Sequence, residues 1–505
     1  MDTVEYDVLV SGLGPVGATL TGLLAKRGLR VLAIDREIAP HPLPRAVHFD
    51  HEIMRIFQGL GVAGAVLDHA RAMPDYEFRT ANGDVLIHLP PQPDTPSAWA
   101  MGYMFHQPGL EAVLRAALDN TPNAEVRLGC RLERFEQTSS TVTATIATPQ
   151  GERAVRARYI VGCDGASSLV REAIGGDLFS YGFDEPWLVI DARVVAESRV
   201  PEINLQICDP ARPTTCVLSG PSRHRWEFML LAGETPEAMM TDETIATLLA
   251  PWNCGPLEIE RKAVYRFHGL VAQRWRSGRA FIAGDAAHQT PPFAGQGMCA
   301  GVRDAANLAW KLSAVLAGDA DEALLDTYQV EREPHARAVI ELAIGMGRVV
   351  CTLDPDAAAA RDAHMLALRE AGMSPLPPTA PPPLADGCIV AGSPGAGLPL
   401  PQPIAETAGG RPRRMDDELP DDAWLISRTP LQTPLVGARF IDLDAEVLAP
   451  FRPALAAWLE ARGAEAVLVR PDRYVFGTGT PASLAMAWSK SLTPSAVPPE
   501  KELTC

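Results

Sequence analysis

Residues 6–35 read "YDVLVSGLGPVGATLTGLLAKRGLRVLAID". "YDVLV" (6–10) is a buried-strand run that leads straight into "SGLGPVG" (11–17). "ATLTGLLAKRG" (18–28) has the apolar spacing and closing glycine of a helix, and "LRVLAID" (29–35) is a second strand. Together they form a βαβ unit, the opening of a doubly wound α/β domain. Gly12, Gly14 and Gly17 spell G-x-G-x-x-G. The first permits a tight turn, the second lets backbone approach a pyrophosphate, and the third allows close helix–strand packing. Pro15 follows the second glycine, and the helix N-terminus offers free N–H groups and a positive dipole end to phosphates. Asp35 lies 18 residues beyond Gly17, where a carboxylate can accept from a ribose diol; Arg36 beside it is grouped with the same site. An acid there favours a free 2′-hydroxyl, so FAD and NAD both stay open. "GSPGAG" (392–397) also has closely spaced glycines, but it sits in a proline-rich stretch with no strand before it and carries no site.

The chain has 505 residues, too many for one ordinary core, so two or three domains are expected. Its formal charge of −17 argues against nucleic acid or an anionic membrane as a partner. The start "MDTVEYDVLV" lacks a basic n-region, and no uncharged run is long enough for a bilayer, which points to the cytoplasm. Nine cysteines without Cys-x-x-Cys or metal-ligand spacing suit a reducing compartment and imply no metal.

Strand-like runs dominate from about Trp187 to Phe267, then "AFIAGDAAH" (280–288) returns to a buried strand and "MCAGVRDAANLAWKLSAVLAG" (298–318) is a long helix. The expected organisation is a dinucleotide domain over 1–180 and 269–373, interrupted by a sheet-rich substrate domain over 181–268. A Pro/Gly linker is expected over 374–420, and a small C-terminal α/β domain over 421–505.

Two further stretches, "CDGASSLVR" (163–171) and "AGDAAHQTPPFAGQGMCAGVRDAANLAWKL" (283–312), each follow an apolar strand. With Gly12–Gly17 they resemble the single-component flavoprotein aromatic hydroxylases, the family of p-hydroxybenzoate hydroxylase and phenol hydroxylase. The resemblance spans about residues 5–345. A finer likeness to the 3-(3-hydroxyphenyl)propionate hydroxylase group rests on "PRAVHFDHE" (44–52), "CDPARP" (208–213), "RWEFMLLAGET" (225–235), "LLDTYQVEREPHA" (324–336) and "RPDRYV" (470–475). The resemblance implies a Rossmann-like FAD domain, an inserted sheet domain and a thioredoxin-like C-terminal domain that is redox-inert, a packing or dimer-forming piece. It implies that NADH or NADPH docks transiently, and that O₂ reacts through a flavin C4a-hydroperoxide to hydroxylate a phenolic acid ortho to its hydroxyl.

The same resemblance places Asp285 on the ribityl chain of FAD, Asp164 and Gly165 on the FAD side, Arg45 near the pyrophosphate or flavin, and Gln107 near the ribityl region. Pro291 and Pro292 would pack close to the flavin ring. The residues agree: Gly295 and Gly297 keep Cβ atoms from a planar ring, and Met298 opens a helix whose N-terminus suits the negative charge of reduced flavin. An Asp285–His288 acid/base pair, the competing reading, explains none of these glycines, and His288 reads as structural. For the substrate, His48 is a candidate to polarise a phenolic hydroxyl, with packing as its other reading. Tyr265 and His268 in "VYRFHG" are candidates to reach the cavity, and Arg212, Arg223 and Arg225 to meet a carboxylate. Cys299 stands where many relatives carry an asparagine that would donate to the flavin; a thiol is a poor donor. Alternatives are a hydroxylase of polyketide, resorcinol-type or heteroaromatic substrates, or a non-catalytic flavin-binding protein. A flavin halogenase lacks support because Trp-x-Trp-x-Ile is absent.

Overall fold

The computed structural model describes residues 4–40, 45–93, 95–375, 382–406, 412–433 and 435–493. Val8, Leu9 and Val10 are all fully buried, because the strand Tyr6–Ser11 lies inside a sheet covered on both faces. Val31–Asp35 pairs with it on one side and Gly151–Gly162 on the other, both parallel. Ala124–Leu128 extends the first flank and Ala280–Ile282 the second. Strand order therefore reverses at Tyr6–Ser11, and such a switch point opens a crevice beyond the carboxyl ends of the strands. The helix Pro15–Lys26 starts in that crevice. It packs on the long helix Gly297–Ala317; Gly301 admits Val16, whose Cγ2 lies 2.6 Å from where a Cβ would stand.

The second sheet has eight strands, from His288–Gln289 through Leu257–Ala272, Leu178–Val194 and Arg223–Met229 to Thr214–Leu218, Asn204–Ile207, Tyr76–Arg79 and Val85–Leu89. It exceeds the bounds expected for the substrate domain, 181–268, because the hairpin Tyr76–Leu89 is recruited from the first part of the chain. Period-two alternation sorts its faces. Leu188, Ile190, Trp226, Phe228 and Cys216 enter a core with Met239 and Ile245. Asp191, Arg225, Glu227, Gln206 and Thr215 take the opposite face, toward the dinucleotide domain.

The described part of 374–420, expected as a linker, is a packed strap. Arg55 donates through Nη1 to the Leu400 carbonyl and pairs with Asp416 at 2.8 Å. Gln402 Nε2 donates to Ser97 O at 2.7 Å. Prolines suit such a strap, since they bring no N–H that needs a partner. Residues 376–381 and 407–411 of the expected linker, and 494–505 of the expected C-terminal domain, lie outside the described residues. The C-terminal unit is a four-stranded sheet in the order Ala438–Asp442, Ala423–Ser427, Ala466–Val469, Val475–Gly479, its first pair parallel and the others antiparallel. Among the described residues no helix is long and apolar enough to cross a membrane, and no cluster of His, Cys, Asp and Glu could hold a metal ion.

Candidate active site

A cavity of about 1180 Å³ runs from the glycine turn to the polar face of the second sheet. That exceeds the roughly 300–1,000 Å³ of an ordinary ligand pocket and gives room for a dinucleotide and a second molecule. At its first end Gly12 has φ +97°, and a Cβ there would meet the Cys163 carbonyl oxygen at 2.4 Å. A Cβ on Gly17 would lie 1.9 Å from Gly12 O, whereas one on Gly14 would meet nothing within 4 Å. The open side of Gly14 is the cradle. Gly14 also caps the helix Pro15–Lys26 without a side-chain hydrogen bond, so the first-turn N–H groups remain available to an anion.

Asp35 Oδ2 accepts from Leu13 N at 2.8 Å and Oδ1 from Glu37 N at 2.9 Å. The carboxylate thus shapes the glycine turn and still has lone pairs for a hydroxyl. Arg36 lines the same end, its side chain mostly in solvent. Gln107 Oε1 accepts from Arg45 N and Ala46 N, both at 2.8 Å, and Nε2 donates to Glu111. It fixes the Arg45 backbone and keeps one N–H for a ligand. Asp285 is half-exposed at the cavity wall, 3.7 Å from Arg45. Asp164 Oδ2 accepts from Leu169 N and Val170 N, while Oδ1 is buried without a partner, as is Thr290 Oγ1. Burial raises the Asp164 carboxyl above its ordinary range. Both residues line the cavity, and orphaned polar atoms beside an open cradle are what a polar cofactor would satisfy. The residues present fit FAD.

Further in, several expected roles change. Pro292, Gly297 and Met298 line the cavity, but Pro291 is buried outside its lining. Gly295 lines the cavity too, and it also makes room for His48: its φ is +62° and a Cβ would stand 2.8 Å from His48 Nδ1. Gly102 holds the other edge, where a Cβ would lie 2.4 Å from Nε2. His48 Nδ1 sits 3.2 Å from Gly295 O. A carbonyl only accepts, so Nδ1 donates and Nε2 is the unprotonated nitrogen of the neutral ring. Burial lowers its basicity, so the neutral form prevails at pH 7. Cys299 Sγ is buried against Gly295 O at 3.7 Å and is not part of the lining. The thiol therefore offers no donor to the cavity. His288 pairs with Asp304 at 2.7 Å, and Asp304 also binds Arg332 and Gly284 N. The pair holds the turn together and is separate from Asp285.

At the sheet end, Arg225 and Tyr265 line the cavity as expected, with His268 at its rim 3.5 Å from Asp184. Arg212 and Arg223 do not. Arg212 is held by both carboxylate oxygens of Glu234, and Arg223 by those of Glu260. Glu227, Arg261, Gln206 and Arg303 belong to the lining and were not singled out in the sequence. Alternation in "RWEFM" would have found Glu227, since it shares a face with Arg225. Arg303 pairs with Asp50 and Glu52, both at 2.5 Å. Burial raises the Asp50 carboxyl, but Arg303 and His51 outweigh it and hold it at about 2. Phe267, Phe293, Val189, Leu342 and Met346 make the apolar wall. The strap and C-terminal unit add Leu398, Pro399, Pro401, Trp458 and Arg462 to the lining.

The FAD binding domain family model matches residues 5–343. A probable NADH-specific resorcinol 4-hydroxylase from Rhodococcus jostii (strain RHA1) is 37% identical over 521 residues, covering 97% of this chain and 95% of that protein. This chain belongs to the FAD-dependent aromatic hydroxylases. The hydroxylase is also 34% identical over 529 residues to a 3-(3-hydroxy-phenyl)propionate/3-hydroxycinnamic acid hydroxylase from Mycobacterium sp. (strain JLS), covering 94% and 89%. Residues 442–493 of the hydroxylase match the HcaD C-terminal domain. Among solved structures, aklavinone-11 hydroxylase with FAD and aklavinone superposes with a TM-score of 0.76 at 26% identity, covering 97% of this chain and all of that one.

Proposed function

We propose that the enzyme uses NADH and O₂ to hydroxylate a small phenol ortho to its hydroxyl, on a ring whose second substituent is meta. Resorcinol and 3-(3-hydroxyphenyl)propionate, the substrates in the relatives' names, share that pattern. The observation that carries the reading is one cavity joining a dinucleotide cradle to a chamber with an apolar wall and a polar floor. Bound FAD supplies the redox and oxygen chemistry. The chain supplies the rest. Gly12, Gly14 and Pro15 receive the pyrophosphate, Asp35 a ribose, and Asp285 with Arg45 the ribityl end. Phe267, Phe293 and Met346 keep water from the reacting ring. Neutral His48, in the cavity lining, offers Nε2 as a proton acceptor. NADH as the reductant is supported by the relative's name. The spacing recurs at Gly59, Gly61 and Gly64 but follows the helix His51–Gly59, not a strand, so with no second strand–glycine–helix fingerprint NADH docks transiently. The eight described cysteines are free, which supports the cytoplasm as the compartment. The C-terminal strand order, with a parallel first pair and no Cys-x-x-Cys, supports a redox-inert thioredoxin-like unit.

The test is a flavin spectrum of the purified protein, then NADH oxidation with resorcinol and with 3-(3-hydroxyphenyl)propionate while product and hydrogen peroxide are measured. Substrate-stimulated oxidation with hydroxylated product is expected. A protein that binds no added FAD, or that gives only peroxide with every phenol, would refute the reading. Asp285→Ala is expected to lower the flavin-to-protein ratio after desalting, with Tm of the apoprotein unchanged; wild-type flavin content would reject the ribityl assignment.

A further inference from the structure

We propose that Glu227 receives the second polar substituent of the substrate and makes this cavity select an uncharged dihydric phenol over a phenol bearing a carboxylate. The proposal rests on the reading of the chain as a phenol hydroxylase. On the strand Arg223–Met229, Trp226 and Phe228 enter the core while Arg225 and Glu227 face the cavity. Asp191 already engages both nearby arginines. Arg225 donates to it through Nε at 2.7 Å and Nη2 at 3.1 Å, and Arg261 through Nη1 at 3.1 Å. Arg225 also binds the Arg45 carbonyl at 2.8 Å, and Arg261 lies 4.6 Å from the centre of the Tyr265 ring.

Glu227 is the second acid of the set. Its carboxylate lines the cavity 3.6 Å from Arg225 Nη1, beyond hydrogen-bond distance, and burial raises it above its ordinary range. Its cross-strand neighbours are Val189 and Thr215, and the Thr215 hydroxyl is engaged by Gln206 at 2.9 Å. The floor thus holds two guanidinium groups and two carboxylates. A substrate carboxylate would add a negative charge beside Glu227, where both guanidinium groups of the floor already face Asp191, and like charges in a shared site repel strongly. Arg212 and Arg223, which could have supplied that cation, are bound elsewhere. Arg266 and His268 stand with Asp184 at the rim. A phenolic O–H, by contrast, donates to Glu227 without changing the charge. Hydrogen bonds to a charged acceptor are the stronger kind, and a site built around one rejects a ligand that cannot donate.

The experiment compares kcat/KM of the FAD-loaded enzyme for resorcinol and for 3-(3-hydroxyphenyl)propionate, in wild type, Glu227→Gln and Glu227→Asp, with flavin content measured for each. Wild type is expected to favour resorcinol at least tenfold. Glu227→Gln lowers kcat/KM for resorcinol about ten- to hundredfold, mainly through KM, and narrows or inverts the ratio. Glu227→Asp retains the wild-type ranking. Wild type favouring the acid would overturn the proposal whatever the variants do, and so would Glu227→Gln with normal flavin and an unchanged ratio. Should Glu227→Gln fail to fold, the wild-type ratio and Glu227→Asp decide. Failure of wild type to hydroxylate any phenol would overturn the underlying reading as well.

Discussion

Gly14→Ala is expected to yield a folded protein that no longer retains FAD, while Gly17→Ala loses the fold itself. The two positions sit in one turn, and their surroundings differ in kind. Gly14 has φ −69° and ψ −174°, an extended backbone that alanine adopts without strain. Its missing Cβ faces open space, so the apoprotein has no reason to be destabilised. The methyl group would instead occupy the side from which a pyrophosphate must approach the helix N-terminus. Overpacking a close contact costs about 1–3 kcal/mol, and lost phosphate hydrogen bonds add to it, so FAD affinity is expected to fall about 100-fold or more. At Gly17 the methyl group would stand 1.9 Å from the Gly12 carbonyl oxygen, with Cys163 Cβ 3.2 Å away. Backbone blocks one side and the neighbouring strand the other. A cost of at least about 3 kcal/mol follows, read as insoluble expression or a Tm lowered by about 6 °C or more. Flavin-to-protein ratio and apoprotein Tm together check both. A Gly14→Ala protein that keeps its flavin would show that the turn is not the phosphate cradle.

The first βαβ unit was legible because several local signals agree there: a buried apolar run, three glycines with separate steric reasons, and a terminal acid. The second sheet was less so. Its long strands Leu178–Val194 and Leu257–Ala272 pair antiparallel, with two register shifts, across a separation that no local pattern encodes, and the edge hairpin Tyr76–Leu89 comes from a distant part of the chain. Residues 374–420 read as a linker because prolines and glycines mark irregular backbone. What orders the described part is a set of partners far away in sequence, Arg55 and Ser97 among them.

Within the site, residues defined by backbone geometry are more legible in the sequence than residues defined by side-chain chemistry. Gly12, Gly14 and Gly17 each have the surroundings their roles require. The three arginines proposed for a carboxylate could not be told apart by type. Only their partners separate them: Glu234 and Glu260 take two, and Asp191 takes the third inside the cavity. Gly295 makes room for a side chain as well as lining the cavity: a Cβ there would meet His48, more than two hundred residues earlier in the chain.

Glu331→Gln is expected to destabilise the protein by about 3–5 kcal/mol at neutral pH, lowering Tm by at least about 6 °C. Glu331 lies on the helix Thr327–Val350 and is fully buried with Lys311 at 2.9 Å and Arg470 at 2.8 Å. It also accepts from Asn307 Nδ2 and from Cys388 N. Arg470 belongs to "RPDRYV", and the rest of that segment reaches the same way. Asp472 accepts from Trp310 Nε1, Arg473 pairs with Asp416, and Tyr474 donates to Glu52, the partner of Arg303 in the cavity lining. One carboxylate therefore ties the C-terminal unit to the helices that floor the site. Removing its charge leaves the buried Lys311 without its carboxylate, while Arg470 keeps Asp472 at 2.6 Å. Lys311, which burial already lowers to about 8, can shed its proton and limit the loss. Burial raises the Glu331 carboxyl, and Arg470 with Lys311 outweighs that and holds it at about 2, against an ordinary 4.5. A carboxyl lowered in the folded state contributes fully above its unfolded pKa and loses that contribution as pH falls through its folded one. The Tm gap between wild type and Glu331→Gln is thus expected to shrink as pH falls from about 4.5 toward 2. Calorimetry across that range checks it, and a gap that is absent at pH 7, or that widens on acidification, would show that Glu331 is not what joins the two units.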